Sequence, residues 1–166
     1  MNALLARLWR KIRGSYQWRL LWFAHAKFNC GVTGVVLVPG GPGGPVGRVL
    51  LLRHRLWPLD RQWGFPTGYA RKGERHEDTI AREVREETGL SVEVGRLLKV
   101  TSGYRLRIEI AYEAVLTDGA AGMDGLRLED REILEARLFP LDGLPEGMLP
   151  AHRELLALAL ERTQAR

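Results

Sequence analysis

Acidic side chains recur at helical spacing in the stretch GYARKGERHEDTIAREVREETGL, which covers residues 68–90. The carboxylates of Glu83, Glu86 and Glu87 follow one another at positions i, i+3 and i+4. At about 100° per residue, these three side chains share one face of a helix. Hard divalent cations such as Mg²⁺ bind carboxylate oxygens and bridge them to phosphates. The pattern therefore indicates either a metal site for phosphate chemistry or a solvated acidic face.

The full spacing of this stretch decides between those two interpretations. It resembles the signature of the Nudix hydrolases, G-x5-E-x7-R-E-U-x-E-E-x-G-U, in which U is a bulky aliphatic residue. All nine specified positions are filled without a gap, by Gly68, Glu74, Arg82, Glu83, Val84, Glu86, Glu87, Gly89 and Leu90. The preceding residues 63–67, WGFPT, resemble the family's usual lead-in Phe-Pro-Gly-Gly, with Thr67 in place of the first glycine.

The resemblance implies a metal site at the box. It makes Glu86 and Glu87 ligands of Mg²⁺ or Mn²⁺, and Glu83 either a ligand or the general base. The main-chain carbonyl of Thr67 would add one more ligand, which any residue type could supply.

Three further residues have implied roles beside the metal. Arg82 is expected to orient the helix through a salt bridge to a carboxylate, and Glu74 to be a structural partner or an outer ligand. Several relatives contribute another carboxylate from a later loop. We assign that role to Glu132, as general base or further ligand, although an exposed loop acid would look the same in sequence.

Basic and aromatic residues near the box are candidates for binding substrate. The cations and imidazole that could neutralise phosphates are Arg53, His54, Arg55, Arg61, Arg71 and Lys72. From this group we select Arg53, Arg55 and Lys72, and we add Tyr104 as a residue that could stack on a base. Relatives selective for ADP-ribose carry a proline a short way past the box, and this chain has no proline between Pro66 and Pro140.

The implied activity is that of a metal-dependent pyrophosphohydrolase. Such an enzyme cleaves the diphosphate linkage of a nucleoside diphosphate derivative (a nucleoside triphosphate, nucleotide sugar or dinucleotide) by attack of water on phosphorus. One alternative is a non-hydrolytic nucleotide-binding sensor or scaffold of the same fold, recruited through a basic N-terminus. Another is the isopentenyl-diphosphate isomerase class, which shares the fold and uses a catalytic cysteine, for which Cys30 would be the candidate.

Positive charge is concentrated at the N-terminus. The first 28 residues contain no acid and six bases, namely Arg7, Arg10, Lys11, Arg13, Arg19 and Lys27. Subtracting these six from the 25 Lys and Arg of the chain leaves 19, against 20 Asp and Glu. The net charge of +5 therefore does not indicate a DNA-binding catalytic domain, and we expect no DNA partner.

Apolar residues in the same segment recur at helical spacing. They predict helices over residues 4–12 and 16–27, separated by a break at Gly14 and Ser15. We therefore divide the chain into a basic amphipathic helical extension, residues 1–28, and a Nudix hydrolase domain, residues 29–166. The extension could pack on the domain or on a homodimer partner, make peripheral contact with an anionic membrane, or be a cleaved targeting peptide.

The remaining elements must position the box. Residues 77–88 lack Pro and Gly and predict a helix that ends at a C-cap, Gly89. Strands are predicted over residues 28–38, 49–52, 91–100, 104–116 and 134–139, and a last helix over 151–162. These elements indicate an α/β or α+β fold, and the resemblance implies an α/β/α sandwich with a mixed sheet. Because Cys30 is the only cysteine, no internal disulfide can form, and we expect a cytoplasmic protein.

Overall fold

The structure, a computed structural model, describes residues 3–40, 44, 46–102, 105–117, 126–128 and 131–164. Within these residues, four helices and seven strands follow one another. Their bounds are α1 Ala3–Lys11, α2 Gly14–Ala24, β1 Asn29–Pro39, β2 Val46–His54, β3 Trp63–Gly64, β4 Thr67–Tyr69, α3 His76–Thr88, β5 Val92–Ser102, β6 Arg107–Leu116, β7 Ile133–Pro140 and α4 Pro150–Gln164.

Strand β1 organises a mixed sheet. It pairs in parallel with β6 along most of its length, and it pairs antiparallel with β2 near its end and with β4 near its start. Strand β5 extends the sheet beyond β6, while β3 and β7 both pair with β2. All these pairings are antiparallel except the one between β1 and β6, so the predicted mixed sheet is confirmed.

The sheet is buried on both faces. One core contains Val32 and Val36 of β1 together with Ile80 and Val84 of α3. The other contains Val35 and Leu37 of β1 with Leu156 and Ala159 of α4. Alternate residues of a strand point to opposite faces, so a near-continuous apolar strand packs a helix on each side. The predicted α/β/α sandwich is therefore confirmed.

Helix α3 begins one residue before the predicted start and ends where the sequence predicts. Its first turn carries Glu77 and Asp78, which favour the positive end of the helix dipole. Gly89 has φ of 73°, and its N–H bonds to the carbonyl of Arg85. A left-handed C-cap is inexpensive only for glycine, so the box glycine ends the helix that carries the carboxylates.

The N-terminal residues form two short helices, as predicted, but the break lies elsewhere. Helix α2 begins at Gly14, so Gly14 and Ser15 occupy its first turn, and the chain leaves the helical conformation at Ile12 and Arg13. Gly and Ser are tolerated at a helix start because the first N–H groups lack helical partners. Of the helices in the described residues, none has both the length and the apolar character to cross a membrane.

Contact between β1 and α3 predicts a strict size limit at Gly34. A Cβ at this position would lie 2.6 Å from Cγ2 of Ile80, which is fully buried. We expect Gly34→Ala to lower the free energy of unfolding by about 1–3 kcal/mol in urea denaturation, because the core has no room to relax. The loss should shrink in an Ile80→Leu background, where the branch at Cβ is absent.

Gly95→Ala is the matched control, because a Cβ there would meet its nearest heavy atom, a backbone oxygen, at an ordinary 3.5 Å. Equal losses for Gly34→Ala and Gly95→Ala would show that helix α3 does not rest directly on Gly34.

Candidate active site

A single guanidinium joins three of the four glutamates of the box signature, Glu74, Glu83 and Glu86. Nε and Nη2 of Arg82 donate to the two carboxylate oxygens of Glu74, at 2.7 and 3.0 Å. Nη1 donates to Glu83 at 2.6 Å and to Glu86 at 3.0 Å. Nη2 also reaches the carbonyl of Tyr69 at 3.1 Å, which ties helix α3 to strand β4. The side chain of Arg82 is only 16% exposed, so these contacts are partly shielded from water.

Glu74 completes the loop before α3 by accepting further hydrogen bonds. The main-chain N–H of Arg71 and the hydroxyl of Thr79 both donate to Oε2, at 2.9 and 3.0 Å. The hydrogen bonds from Arg82, and then that from Arg71, lower the pKa of Glu74 from 4.5 to about 2. Glu74 is therefore ionised at neutral pH and positions Arg82.

Glu83 lies against the backbone of β4. A Cβ on Gly68 would collide with the Glu83 carboxyl group, so the box glycine is what admits this side chain. Burial raises the pKa of Glu83 above its ordinary value, and the hydrogen bond from Arg82 opposes that rise. A carboxylate with a raised pKa is better suited to accept a proton than an exposed one.

The other two carboxylates of the box differ in exposure. The side chain of Glu86 is 42% exposed, and it also accepts from Nη2 of Arg71 at 3.0 and 3.2 Å. Glu87 is buried, with 4% of its surface exposed. Both line the same cleft as Glu83, so the helix face predicted from the spacing exists.

Thr67 begins strand β4 beside the carboxylates. Its hydroxyl donates to the carbonyl of Val32 at 3.2 Å and lies 3.1 Å from the hydroxyl of Thr33. Thr67 and Thr33 also face each other in the antiparallel register between β4 and β1. These contacts anchor the main chain where the family lead-in would have a glycine.

Two buried histidines hold the segment that precedes Thr67. The main-chain N–H of Phe65 donates to Nδ1 of His152 at 2.9 Å, and Nε2 of His54 lies 3.3 Å from the carbonyl of Phe65. The indole of Trp57 stacks on His54, with ring centroids 3.8 Å apart, and meets His152 edge-on. Burial lowers the pKa of each imidazole to about 4, so both are neutral at pH 7.

An open cleft of about 1000 Å³ brings these parts together. Its acidic wall is Glu83, Glu86, Glu87 and Glu132, next to Thr67 and Gly68. Strands β5 and β6 add Lys99, Thr101, Arg107 and Glu109 from another side, and His54, Trp57 and His152 also line it. Carboxylates, cations and aromatic rings therefore surround one space large enough for a nucleotide.

Three of the four predicted substrate-binding residues lie outside the cleft lining. Arg53, Arg55 and Lys72 are exposed, and none of them is among the described residues that line the cleft. Arg53 donates to the side chain of Gln62 at 3.1 Å, and the N–H of Arg55 to the carbonyl of Glu132 at 2.8 Å. Tyr104 lies outside the described residues. Substrate contacts by these four side chains stay predictions.

Sequence reasoning missed two cations in the cleft, Lys99 and Arg107. Both lie on strands, where the sequence shows only alternation of polar and apolar residues. That alternation says which residues share a face but not that the face borders the box, because the pairing of β6 with β1 decides this. Cys30, the candidate nucleophile of an isomerase, is not among the described residues lining the cleft, and its Sγ lies 3.5 Å from Nε2 of His76.

The donors at the box suit Mg²⁺ or Mn²⁺, because every candidate ligand is an oxygen. In the described part of the chain, however, no three His, Cys, Asp or Glu side chains are placed to hold an ion as they stand. The guanidinium of Arg82 forms ion pairs with both Glu83 and Glu86, and Arg71 forms a further ion pair with Glu86. A divalent cation would therefore have to displace some of these ion pairs. Those of Glu86 should yield most easily, because its side chain is exposed.

Comparisons with known proteins agree with this geometry. A family model described as NUDIX domain matches residues 31–159. An ADP-ribose pyrophosphatase of Methanocaldococcus jannaschii is 29% identical over 106 residues, 60% of this chain and 58% of that protein. Putative nudix hydrolase 1 of Caenorhabditis elegans is 26% identical over 140 residues, 68% of this chain and 38% of that protein. The crystal structure of a NUDIX hydrolase from Nitrosomonas europaea aligns with a TM-score of 0.66 and 23% identity, over 85% of this chain and 74% of that one.

The family model spans most of the chain and contains the whole box, so the chain belongs to the Nudix family. The family prediction made from residues 68–90 is confirmed, and the solved structure confirms the fold. The chain spans 58% and 38% of the lengths of the two relatives it matches in sequence.

The contacts of Arg82 predict a large loss of stability when its charge is removed. Arg82→Gln removes the cation shared by Glu74, Glu83 and Glu86, of which Glu86 keeps its ion pair with Arg71, and should lower the free energy of unfolding by about 3 kcal/mol in urea denaturation. The free energy of unfolding of Arg82→Lys should lie between those of Arg82→Gln and the wild type, because an ammonium keeps the charge but lacks the planar, forked arrangement of donors. Arg85→Gln removes an exposed cation from the same helix and should cost far less. Similar losses for Arg82→Gln and Arg85→Gln would contradict the network.

The buried histidines predict a decline of stability in mild acid. Unfolded histidine takes up a proton near pH 6.5, whereas folded His54 and His152 do so only near pH 4. Protonation therefore favours the unfolded chain. As the pH is lowered from about 6.5 to about 4, the free energy of unfolding decreases by up to about 1.4 kcal/mol per pH unit for each histidine. His152→Asn, which keeps an acceptor for the N–H of Phe65, should reduce the slope of unfolding free energy against pH.

His25→Asn is the control for this pH series, because His25 is exposed. An unchanged slope in His152→Asn would mean that the folded protein binds the proton on His152 as readily as the unfolded chain does.

Proposed function

We propose that the chain is a metal-dependent pyrophosphohydrolase that cleaves the diphosphate linkage of a nucleoside diphosphate derivative. The observation that carries the proposal is the meeting of Glu83, Glu86, Glu87 and Thr67 on one wall of the cleft. Hydrolysis of a diphosphate requires a deprotonated water and neutralisation of the charge on the phosphoryl oxygens. The carboxylates supply metal ligands and a base that can deprotonate the water. A bound metal cation would neutralise the charge on the phosphoryl oxygens.

Glu86 and Glu87, with the carbonyl of Thr67, are the residues we propose to hold Mg²⁺ or Mn²⁺. The bound ion would polarise the phosphoryl group and lower the pKa of water. A binding protein of the same fold would need no such set of carboxylates, which is why we favour an enzyme over a sensor or scaffold.

Glu83 and Glu132 are the two candidates for the general base. Burial raises the pKa of Glu83, which suits it to take the proton of the attacking water. Glu132 is exposed and reaches the cleft from the segment before β7. In the reaction, the water oxygen bonds to one phosphorus and the bridging P–O bond breaks. The products are a nucleoside monophosphate and the phosphorylated remainder, and the carboxylate holds the proton.

Besides Arg82, the described cations that line the cleft are Arg71, which lies within the box stretch, and Lys99 and Arg107. Each forms an ion pair with an acidic side chain in the structure, Arg71 with Glu86, Lys99 with Glu154 and Arg107 with Glu109. These side chains are at least 40% exposed, so their ion pairs are weak and could yield to phosphate oxygens. We propose these three as phosphate-binding residues in addition to Arg53, Arg55 and Lys72.

ADP-ribose is the first substrate to test, because a relative bears that activity in its name. The absence of a proline between Pro66 and Pro140 argues against narrow selectivity for it. Nucleoside triphosphates, nucleotide sugars and dinucleoside polyphosphates therefore belong in the same panel. We also propose a cytoplasmic location, because the single Cys30 leaves no internal disulfide for an oxidising compartment to form.

The test is product release across this panel with Mg²⁺ or Mn²⁺, run in ¹⁸O-labelled water. We expect one class to turn over well above the rest, with the label in a phosphate product because water attacks phosphorus. The double change Glu86→Gln, Glu87→Gln should lower kcat by at least about 10³-fold. It should also weaken Mn²⁺ binding followed by electron paramagnetic resonance, a measurement that needs no substrate.

The matched control is Glu77→Gln with Asp78→Asn, which removes two acids from the first turn of the same helix and leaves the cleft unchanged. Turnover that survives the Glu86 and Glu87 changes would contradict the site. Tight nucleotide binding with no turnover of any compound would contradict hydrolysis and support a sensor.

A further inference from the structure

The N-terminal arm, defined as residues 3–27, carries eight of the fifteen large apolar side chains that are exposed among the described residues. Helix α2 contains no buried residue. Trp18 is 75% exposed, Phe23 71% and Trp22 60%. Among the arm's described side chains, Leu8, Trp9, Tyr16, Leu20 and Leu21 are also exposed. Exposed apolar side chains concentrated in one short segment indicate an interaction site, because burying them away from water is favourable.

A side-chain hydrogen bond links the two helices of the arm. The side-chain amide of Gln17 in α2 donates to the carbonyl of Trp9 in α1 at 2.7 Å. Both helices are short, and isolated helices of this length are marginal in water. An arm that buries so little of its apolar surface needs contact with another surface to stabilise its helices.

The charge of the arm restricts what that surface can be. Its Lys and Arg residues are accompanied by no acid, whereas the rest of the chain is nearly neutral. Lys27 places its ammonium 4.5 Å from the ring centroid of Trp22, so cation and aromatic lie side by side. Exposed tryptophans next to basic side chains match the boundary between lipid headgroups and acyl chains.

We infer that the arm is a peripheral membrane anchor that binds surfaces rich in anionic lipid. The tryptophans and Phe23 enter the interface while the cations contact lipid phosphates. The arm lies in the plane of the membrane rather than across it, because neither helix is long enough to span. This role is independent of the reaction at the cleft.

A second copy of the chain fits the arm less well than an anionic surface. Two arms packed face to face would bring together twelve cations, six from each, with no acid within the segment to separate them. An anionic surface instead gains from every one of those charges. Dimerisation through the arm is therefore the competing outcome that the experiment must distinguish.

The experiment is flotation of the full chain with vesicles of phosphatidylcholine alone, or with about one-third phosphatidylglycerol. We expect binding to the anionic vesicles only, weakened as NaCl is raised from 0.1 to 0.5 M because salt screens the attraction. Bromine-labelled lipid should quench tryptophan fluorescence, and the quenching should disappear when Trp9, Trp18 and Trp22 are replaced by Phe. Trp57 and Trp63 remain in that variant as an internal reference.

Two variants separate the contributions of charge and apolar surface. The triple change Arg10→Gln, Lys11→Gln, Arg13→Gln should lower partitioning by roughly 100-fold, because it removes the attraction of three cations to the anionic surface and each contributes about equally to binding. The changes Trp18→Ser and Trp22→Ser should lower it by about ten-fold or more through loss of the buried rings.

The matched control is the triple change Arg61→Gln, Arg127→Gln, Arg131→Gln, which removes the same charge from exposed positions of the domain. Its partitioning should stay within about two-fold of the wild type, since those cations lie outside the arm. Equal loss in both triple variants, equal binding to neutral vesicles, or no vesicle binding at all would overturn the proposal. Concentration-dependent dimerisation in sedimentation velocity, abolished by the Trp18 and Trp22 changes without any vesicle binding, would assign the arm to a second copy instead.

Discussion

Repulsion among carboxylates is the constraint on which the site depends. The box places Glu83, Glu86 and Glu87 on adjacent turns of one helix, where like charges oppose helix formation. The positive charge of Arg82, in the same helix, offsets this repulsion by donating hydrogen bonds to Glu83, Glu86 and Glu74. One guanidinium therefore holds the acidic groups together and keeps helix α3 in register with strand β4.

The sheet supplies the rigid frame for that helix. Strand β1 contacts α3 through the close approach at Gly34, carries β4 on one side and pairs with β6 on the other. The lead-in to β4 is held by His54 and His152, which satisfy both main-chain groups of Phe65 inside the core. Placing the candidate ligand carbonyl of Thr67 on paired backbone gives the site a precision that a free loop would lack.

Charge separates the chain into two parts, for which we propose different tasks. The domain is nearly neutral overall but concentrates acids at the box and cations on β5 and β6, a local pattern suited to a metal and a phosphate. The arm is uniformly basic and apolar, a pattern suited to a surface much larger than a small molecule. A membrane-bound arm would hold the cleft near the surface without taking part in its chemistry.

The sequence by itself determined whatever depends on neighbours along the chain. Helix α3, its glycine cap, the shared face of the carboxylates and the alternation in β6 all follow from local spacing, and each was predicted close to its observed bounds. Only the tertiary structure decided which distant side chains share the cleft. His152 meets Phe65 across 87 residues, and Lys99 and Arg107 line the cleft because β5 pairs with β6 and β6 pairs with β1. Lys72 lies within the box stretch yet outside the cleft lining, whereas Arg107 comes well after the box and lines the cleft, because strand pairing and side-chain direction, rather than distance along the chain, set what a side chain can reach.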